Sequence, residues 1–177
     1  MTAVTAERPE SDAATAQMDK TRPWVLINEI YWMTSKLLDR RFYHLGVSAS
    51  QARVLMLLHF SRGPIKPSAV ATLFFQETQS ITGILHRIEA RGWVERQPDA
   101  QDRRAVGLSL TDAGRPVAAE LVRLSDALYD DMFAPALNAG EKRHLEAMLK
   151  KIRSLGFKLP ETDLKLRRAQ QYPVWSE

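Results

Sequence analysis

Apolar side chains recur at steps of three and four residues along most of the chain, which is the pattern of helices with one buried side. In the first such segment the repeat spans residues 24–45 and closes at Gly46. Its members are Ile27, Ile30, Tyr31, Met33, Leu37, Leu38, Phe42 and Leu45. This stripe predicts a long helix with more apolar surface than one neighbouring helix would cover.

Three shorter helical segments follow the first. Ser48 and Gln51 have the spacing of a capping box at the start of a second apolar helix. A short helix is predicted over residues 68–74, and another amphipathic one over residues 78–91. The buried side of the latter consists of Ile81, Ile84, Leu85 and Ile88. Gly92 is placed to end it in the left-handed conformation.

Two short β-prone segments, residues 93–97 and 105–110, come next, separated by the polar sequence PDAQDRR. The second segment alternates apolar residues with small or polar ones, as half-buried strands do. A hairpin directly after two consecutive helices predicts the wing of a winged helix-turn-helix. Two further helices, residues 111–132 and about 138–155, complete a mainly α fold with a small β-hairpin wing. Asn138 and Glu141 have the spacing of a capping box at the start of the last helix.

This pattern divides the chain into five parts. Residues 1–21 are polar and aperiodic, so we expect a disordered arm there, and residues 157–177 form a C-terminal extension. Residues 47–114 are the predicted winged helix-turn-helix DNA-binding domain. It is flanked by an N-terminal dimerisation helix, residues 22–46, and by C-terminal dimerisation helices, residues 115–156. We expect dimerisation because these flanking helices have too little else to cover their apolar sides.

The composition excludes several classes of function. The 177-residue chain has no cysteine, which rules out disulfides, cysteine-ligated zinc, iron–sulfur clusters and a thiol nucleophile. Its four histidines lie on separate predicted elements, and no G-x-S-x-G sequence occurs. We therefore expect no metal, no cofactor and no catalytic site. Neither an apolar run of about 18 residues nor a signal-peptide pattern is present, so we expect a cytoplasmic protein.

The charge of the chain is a weak indication of nucleic-acid binding, and the polar side of the helix over residues 78–91 is a stronger one. Residues 46–115 carry nine Lys or Arg against six Asp or Glu, which permits nucleic-acid binding without requiring it. The polar side of the helix holds groups that can bond bases and phosphates. The candidate DNA-contacting residues are Lys66, Ser68, Thr78, Gln79, Ser80, Thr82, His86, Arg87, Arg103 and Arg104. Among them Gln79 can pair bidentately with adenine, and Gly83 lets the backbone come close.

The sequence IEARGWVERQPDAQDRRAVGLSLTDAGR, residues 88–115, resembles the signature of the MarR family of bacterial transcriptional regulators. The family pattern has an LE-x-x-G-hydrophobic-V-x-R stretch, D-x-R at the wing tip and a closing L-T-x-x-G. Asp102, Arg104, Leu110, Thr111 and Gly114 match it in register. The sequence HLGVSASQARVLMLL, residues 44–58, is similar to the second-helix segment of the family. The resemblance covers roughly residues 24–155.

The resemblance implies a homodimer on double-stranded operator DNA, with one recognition helix for each half-site. It also implies that Arg104 enters the minor groove, where a narrow groove concentrates negative potential. Arg103 is a plausible phosphate partner, and Asp102 would orient an arginine. The sequence Phe74-Phe75-Gln76-Glu77 departs from the usual polar or glycine-containing turn. Repression is the commoner mode in the family, so a repressor is expected.

Family members usually release DNA when a small molecule binds. Aromatic residues of the first helix with nearby cationic or titratable groups would suit an aromatic carboxylate. The candidate ligand-binding residues are Trp24, Tyr31, Trp32, Arg40, Phe42, Arg53 and His59. A larger effector, an aromatic acyl-CoA thioester, would use the basic C-terminal stretch: Lys150, Lys151, Arg153, Lys158, Lys165, Arg167 and Arg168. The competing interpretation is that these residues only pack or remain solvated.

A different class of function also fits a winged helix. Some winged-helix modules bind other proteins and do not recognise DNA sequences. Such modules usually lose the wing arginines and the polar recognition face. The present sequence has both, which favours DNA binding over protein interaction.

Overall fold

The computed structural model describes residues 9–76, 78–98 and 106–159, with the backbone alone at residues 9–17 and at Thr78. Its elements are α1 (Pro9–Phe42), a 3₁₀ turn (Tyr43–Leu45), α2 (Ala49–Phe60), α3 (Pro67–Leu73), α4 (Thr78–Ala90), β1 (Val94–Pro98), β2 (Val106–Leu110), α5 (Gly114–Met132) and α6 (Ala139–Gly156). The predicted fold class is confirmed. None of the helices in these ranges carries the apolar length that a membrane span requires.

The chain divides into two compact units, residues 1–37 and residues 38–177. The first unit corrects one prediction, because α1 begins at Pro9 and residues 9–21 are helical where a disordered arm was expected. The sequence PESDAATAQMDK is rich in strong helix formers, and proline is well tolerated in a first turn. An aperiodic polar pattern excludes a buried face but does not exclude a helix. Residues 1–8 lie outside the described ranges.

The core of the second unit is built around α2. The predicted capping box is present: the Gln51 amide donates to Ser48 Oγ at 3.3 Å, and the Ser48 amide donates to Gln51 Oε1 at 3.0 Å. The helix that starts there buries apolar side chains along most of its length and packs against α5 and β2. Its buried residues are Gln51, Ala52, Val54, Leu55, Leu57 and Leu58.

The hairpin pairs β1 and β2 antiparallel, with Val94 opposite Leu110 and Pro98 opposite Val106. A third segment that the sequence did not indicate joins it at Ile65. The Ile65 amide donates to the Leu108 carbonyl at 3.0 Å, and the Leu108 amide donates back at 2.9 Å. This bridge ties the connection between α2 and α3 to the wing, so the helix-turn-helix and the hairpin form one packed module.

The junction between β2 and α5 explains the closing L-T-x-x-G sequence. Thr111 Oγ1 donates to the Gly92 carbonyl at 2.6 Å and accepts from the Gly114 amide at 3.0 Å. An added Cβ at Gly114 would lie 1.9 Å from the Trp93 carbonyl oxygen, so only glycine fits. Helix α5 starts at Gly114 and not at residue 111 as predicted, and Thr111 lies in the turn before the helix. Gly92 has the predicted left-handed conformation, with φ at 69°.

The last two helices differ in burial. Helix α5 buries Ala118, Leu121 and Leu128, and Arg41 forms an ion pair with Asp131 near its end. Helix α6 begins at the predicted capping box of Asn138 and Glu141 but contains no buried residue. It exposes the large apolar side chains Met148, Leu149, Ile152 and Leu155. Within the described residues, the apolar stripe of α6 therefore has no covering partner.

Among the described residues, the side-chain pKa values that are shifted belong to a surface pair on α5, Glu120 and Arg123. Arg123 donates two hydrogen bonds to the Glu120 carboxylate, at 2.8 and 2.6 Å. These bonds lower the pKa of Glu120 and raise that of Arg123. Because the pair lies at the surface, with Arg123 exposed and Glu120 half-buried, solvent screens the charges and the pair contributes little to the stability of α5.

Candidate nucleic-acid interface

Helices α3 and α4 form a helix-turn-helix on the shared core. The buried side of α3 consists of Ala69, Val70, Ala71 and Leu73. The buried side of α4 is the predicted one, with Ile81, Ile84, Leu85 and Ile88. Both sides belong to the same hydrophobic cluster as α2 and β2, apart from Ala69. The core thus fixes which side of α4 faces the solvent.

The exposed side of α4 carries the polar residues that the sequence singled out. The exposed residues are Gln79, Ser80, Thr82, Gly83, His86 and Arg87. Spacing of three and four residues places Gln79, Thr82, Gly83 and His86 along one row. Thr78 is the first residue of the helix, and its side chain lies outside the described part. The structure therefore brings most of the predicted recognition residues onto a single surface.

Two further candidates stand at the start of α3. Lys66 occupies the N-cap position, where its carbonyl accepts from the amides of Ala69 at 2.9 Å and Val70 at 3.2 Å. Both Lys66 and Ser68 are exposed. An exposed lysine ammonium and an exposed hydroxyl at the start of a helix suit phosphate binding.

The wing tip lies outside the described residues. The strands end at Pro98 and resume at Val106, so Asp102, Arg103 and Arg104 belong to the connection between them. Their predicted contacts stay predictions. The described register nevertheless fixes which end of the hairpin carries both arginines.

Two arginines of the module have internal roles that the sequence did not indicate. Arg96 on β1 donates to Glu89 on α4, with Nε and Oε1 at 2.7 Å. The Arg91 guanidinium lies over the Trp93 ring, 4.7 Å from its centroid, where a cation is attracted to the π face. The first contact joins the hairpin to α4, and the second lies within the connection between α4 and β1, so both charges contribute to the shape of the module.

The candidate ligand-binding residues are distributed over both units. Trp24, Tyr31 and Trp32 belong to the first unit and are exposed, with the Tyr31 and Trp32 rings edge to face at 5.3 Å. Phe42 is fully buried in the core of the second unit, so its expected ligand contact is replaced by packing. The apolar periodicity of α1 in the sequence does not reveal whether a given aromatic ring packs in the core or faces a ligand.

The three remaining candidates lie in the second unit, and each lies on a different part of α1 or α2. Arg40 is exposed on the last turn of α1. Arg53 is half-buried on α2, with Nη2 at 3.5 Å from Ser50 Oγ. His59 is exposed and packs edge to face on Phe60 at 5.2 Å. These residues alone do not form a ligand site.

A groove between α5 and α6 combines aromatic rings with cationic groups, the combination that was expected at the first helix. It encloses about 600 Å³ and is lined by Tyr129, Phe133, Leu137, Lys142, Leu145, Glu146, Leu149, Lys150 and Arg153. The Tyr129 and Phe133 rings stack at 5.7 Å, and Lys142 Nζ lies 5.4 Å from the Tyr129 centroid. The lining contains three cations, Lys142, Lys150 and Arg153, and one carboxylate, Glu146, whose Oε1 is 3.1 Å from Lys150 Nζ. An aromatic floor with a cationic rim suits an organic anion.

Comparisons with known proteins agree with this geometry. A family model described as MarR family matches residues 45–105. The HTH-type transcriptional regulator PecS of Dickeya dadantii is 28% identical over 148 residues, covering 82% of this chain and 86% of PecS. The multiple antibiotic resistance protein MarR of Escherichia coli is 28% identical over 127 residues, covering 72% of this chain and 88% of MarR.

A solved structure extends the likeness to the fold. The C80S mutant of E. coli MarR complexed with operator DNA is 26% identical and superposes with a TM-score of 0.65. The alignment covers 76% of this chain and 96% of that one. The matched proteins are regulators and not enzymes, in agreement with the prediction of a non-catalytic protein.

Proposed function

We propose that this chain, which belongs to the MarR family of winged-helix transcriptional regulators, represses transcription by binding operator DNA as a homodimer. The observation that carries the proposal is the row of exposed polar residues on α4, held outward by a fully apolar inner side. An α-helix with its side chains is about 10–12 Å wide, and the major groove of B-DNA is about 12 Å wide. Helix α4 therefore fits that groove with its polar row facing the base edges.

Each polar residue then has a chemical part in recognition. Gln79, near the start of α4, would pair with adenine, while Ser80 and Thr82 would bond bases or phosphates. Arg87, one turn from the end of α4, would contact a phosphate or a guanine. Lys66 and Ser68 would fix the register on the backbone, and Arg103 and Arg104 would follow the minor groove from the wing.

Dimerisation is supported by apolar surface that one chain leaves exposed. In the first unit, Trp24, Val25, Leu26, Ile27 and Ile30 are all exposed on α1. In the second unit, the exposed stripe of α6 contains Met148, Ile152 and Leu155. Contiguous apolar patches of this kind are rare on monomers and mark interfaces. A second copy of the chain is the occupant that would place two α4 helices on one duplex.

A charge deletion on α4 tests the DNA contact. Arg87→Ala should weaken binding to the DNA upstream of the protein's own gene by about tenfold, because a charge-assisted hydrogen bond contributes about 1.5–3 kcal/mol. The slope of log affinity against log salt should fall by about one if the partner is a phosphate. Mobility shifts over a salt series measure both quantities.

The matched control is Arg143→Ala, which removes the same charge from an exposed position on α6. It should leave the affinity within about twofold, since surface charges away from an interface contribute little. Equal losses in the two variants would mean that only net charge matters. A wild-type protein that ignores duplexes at low ionic strength would instead favour the protein-interaction module.

For the effector, we infer an aromatic carboxylate or its CoA thioester, bound in the groove between α5 and α6. The cavity volume of about 600 Å³ lies within the usual range for small-molecule sites. The cations Lys142 and Arg153 lie on the side of α6 that faces the groove, whereas Met148, Ile152 and Leu155 lie on a neighbouring side. A partner could therefore cover the stripe while the groove stays open to a ligand.

Calorimetry with benzoate, cinnamate and their CoA thioesters tests the effector. Lys142→Gln should weaken binding of the acids by about tenfold, because it removes a charged donor beside the ring of Tyr129. Arg143→Gln, which removes a charge from α6 outside the groove, should have little effect. The bound acid should also abolish the mobility shift. The absence of binding heat with every compound would exclude the effector proposal.

A further inference from the structure

The turn between α3 and α4 contains a residue in an unfavourable backbone conformation. Phe75 has φ at 53°, in the left-handed region that bulky side chains rarely adopt. The turn is closed by two backbone hydrogen bonds: the Phe75 amide donates to the Thr72 carbonyl at 3.2 Å, and the Gln76 amide donates to the Ala71 carbonyl at 3.0 Å. A glycine would meet this geometry without strain, so the phenylalanine needs another reason.

A ring contact with the far end of the chain supplies that reason. The rings of Phe75 and Phe157 stack with centroids 5.8 Å apart and an interplanar angle of 27°. Phe157 follows α6 directly, and its amide donates to the Arg153 carbonyl at 3.1 Å. Phe157 is 6% exposed, although α6 itself buries none of its residues. The stack thus joins the end of α6 to the turn that precedes α4.

We propose that Phe75 and Phe157 form a positioning pair, in which the stack holds the turn in its left-handed conformation and thereby sets where α4 begins. This rests on the proposed function, since α4 is the element that reads DNA there. Without the ring of Phe157, the strain at Phe75 is no longer offset, and the turn relaxes away from φ near 53°. Gln79, a few residues further on, then shifts relative to the groove.

The pair also links helix α6, where the effector and the second copy are proposed to bind, to helix α4, which is proposed to bind DNA. Helix α6 carries both the cationic side of the groove and the apolar stripe assigned to the second copy. A displacement of α6 therefore reaches the turn through Phe157 without passing through the core. Coupling of this kind requires an element that both sites bias, and the turn at Phe75 is that element.

A double-mutant cycle on the full-length protein tests the pair. Phe157→Ala removes the stack and leaves the strain, whereas Phe75→Gly removes both. Phe157→Ala should weaken operator binding by about three- to tenfold, the range that an aromatic pair supports. The double variant should bind no worse than Phe157→Ala alone, because the stack is already lost and the glycine only relieves the strain that remains at position 75. Phe157→Tyr, which keeps the ring face, should restore wild-type affinity.

The matched control is Phe60→Ala, which removes an exposed aromatic ring from α2 outside the stack, and it should bind within about twofold of wild type. Hydrogen exchange gives a readout independent of DNA. In Phe157→Ala the amides of Phe75 and Gln76 should exchange faster, while those of the α2 core stay protected. If Phe157→Ala unfolds, Phe157→Leu replaces it, since leucine keeps apolar bulk without a ring face.

Additive losses in the cycle, or unchanged exchange at the turn, would overturn the positioning pair. A wild-type protein that fails to bind DNA would overturn the proposed function instead, because the exchange at Phe75 and Gln76 would still report on the stack.

Discussion

The Gly114→Ala variant should lose about 3 kcal/mol or more of its free energy of unfolding, since forced overpacking against backbone is among the most damaging single changes. The added methyl would lie 1.9 Å from the Trp93 carbonyl oxygen and 2.8 Å from its carbonyl carbon. Both contacting atoms belong to the Trp93 backbone, so no side-chain rotation can make room for the methyl. The junction of hairpin and α5 would have to open. Urea unfolding followed by circular dichroism measures the loss.

Gly83→Ala is the matched control for that change. No heavy atom lies within 4 Å of an added Cβ at Gly83, which is exposed within α4. Alanine should therefore raise stability by about 0.5–1 kcal/mol through its better helix propensity. The same methyl should weaken DNA binding if the backbone approaches the groove there. A Gly114→Ala protein as stable as the parent would contradict the packing of the junction.

Ile152→Asp should separate the dimer and reduce operator affinity by about 100-fold or more. Linking two half-site contacts in one dimer raises the overall affinity by about 10² to 10⁴ over that of one contact. Ile152 is 54% exposed in the single chain, at the centre of the α6 stripe between Met148 and Leu155. A carboxylate there is harmless to a solvated helix but costly inside an apolar interface. Light scattering of the free protein and mobility shifts measure the two effects together.

Ser154→Asp provides the comparison, because it adds the same charge at an exposed position of the same helix. It should remain dimeric and bind the operator with nearly unchanged affinity. If both variants behave like wild type, the apolar stripe of α6 is not the interface between copies.

Local rules predicted most of the module that carries α4. The capping boxes at Ser48 and Asn138 and the left-handed Gly92 are set by residues within one turn of each other. The inner and outer sides of α4 followed from the period of its apolar residues, since amphipathic periodicity needs no knowledge of the partner. These features determine which side of α4 is exposed.

Contacts between distant segments were beyond the sequence pattern. The bridge of Ile65 to Leu108 and the stack of Phe75 on Phe157 join residues that share no local period. The groove between α5 and α6 likewise depends on how two helices approach each other. Phe42 was assigned to a ligand because its stripe did not reveal which side faces the core. Tertiary packing decides all of these features.

Sedimentation velocity of the wild-type protein with a duplex from the upstream region of its gene, over a series of salt concentrations, tests the central claim most directly. We predict two protomers on each duplex at low ionic strength, with the affinity falling linearly on a logarithmic scale as salt rises. A protein that stays monomeric, or that sediments independently of the duplex at low ionic strength, would contradict the account.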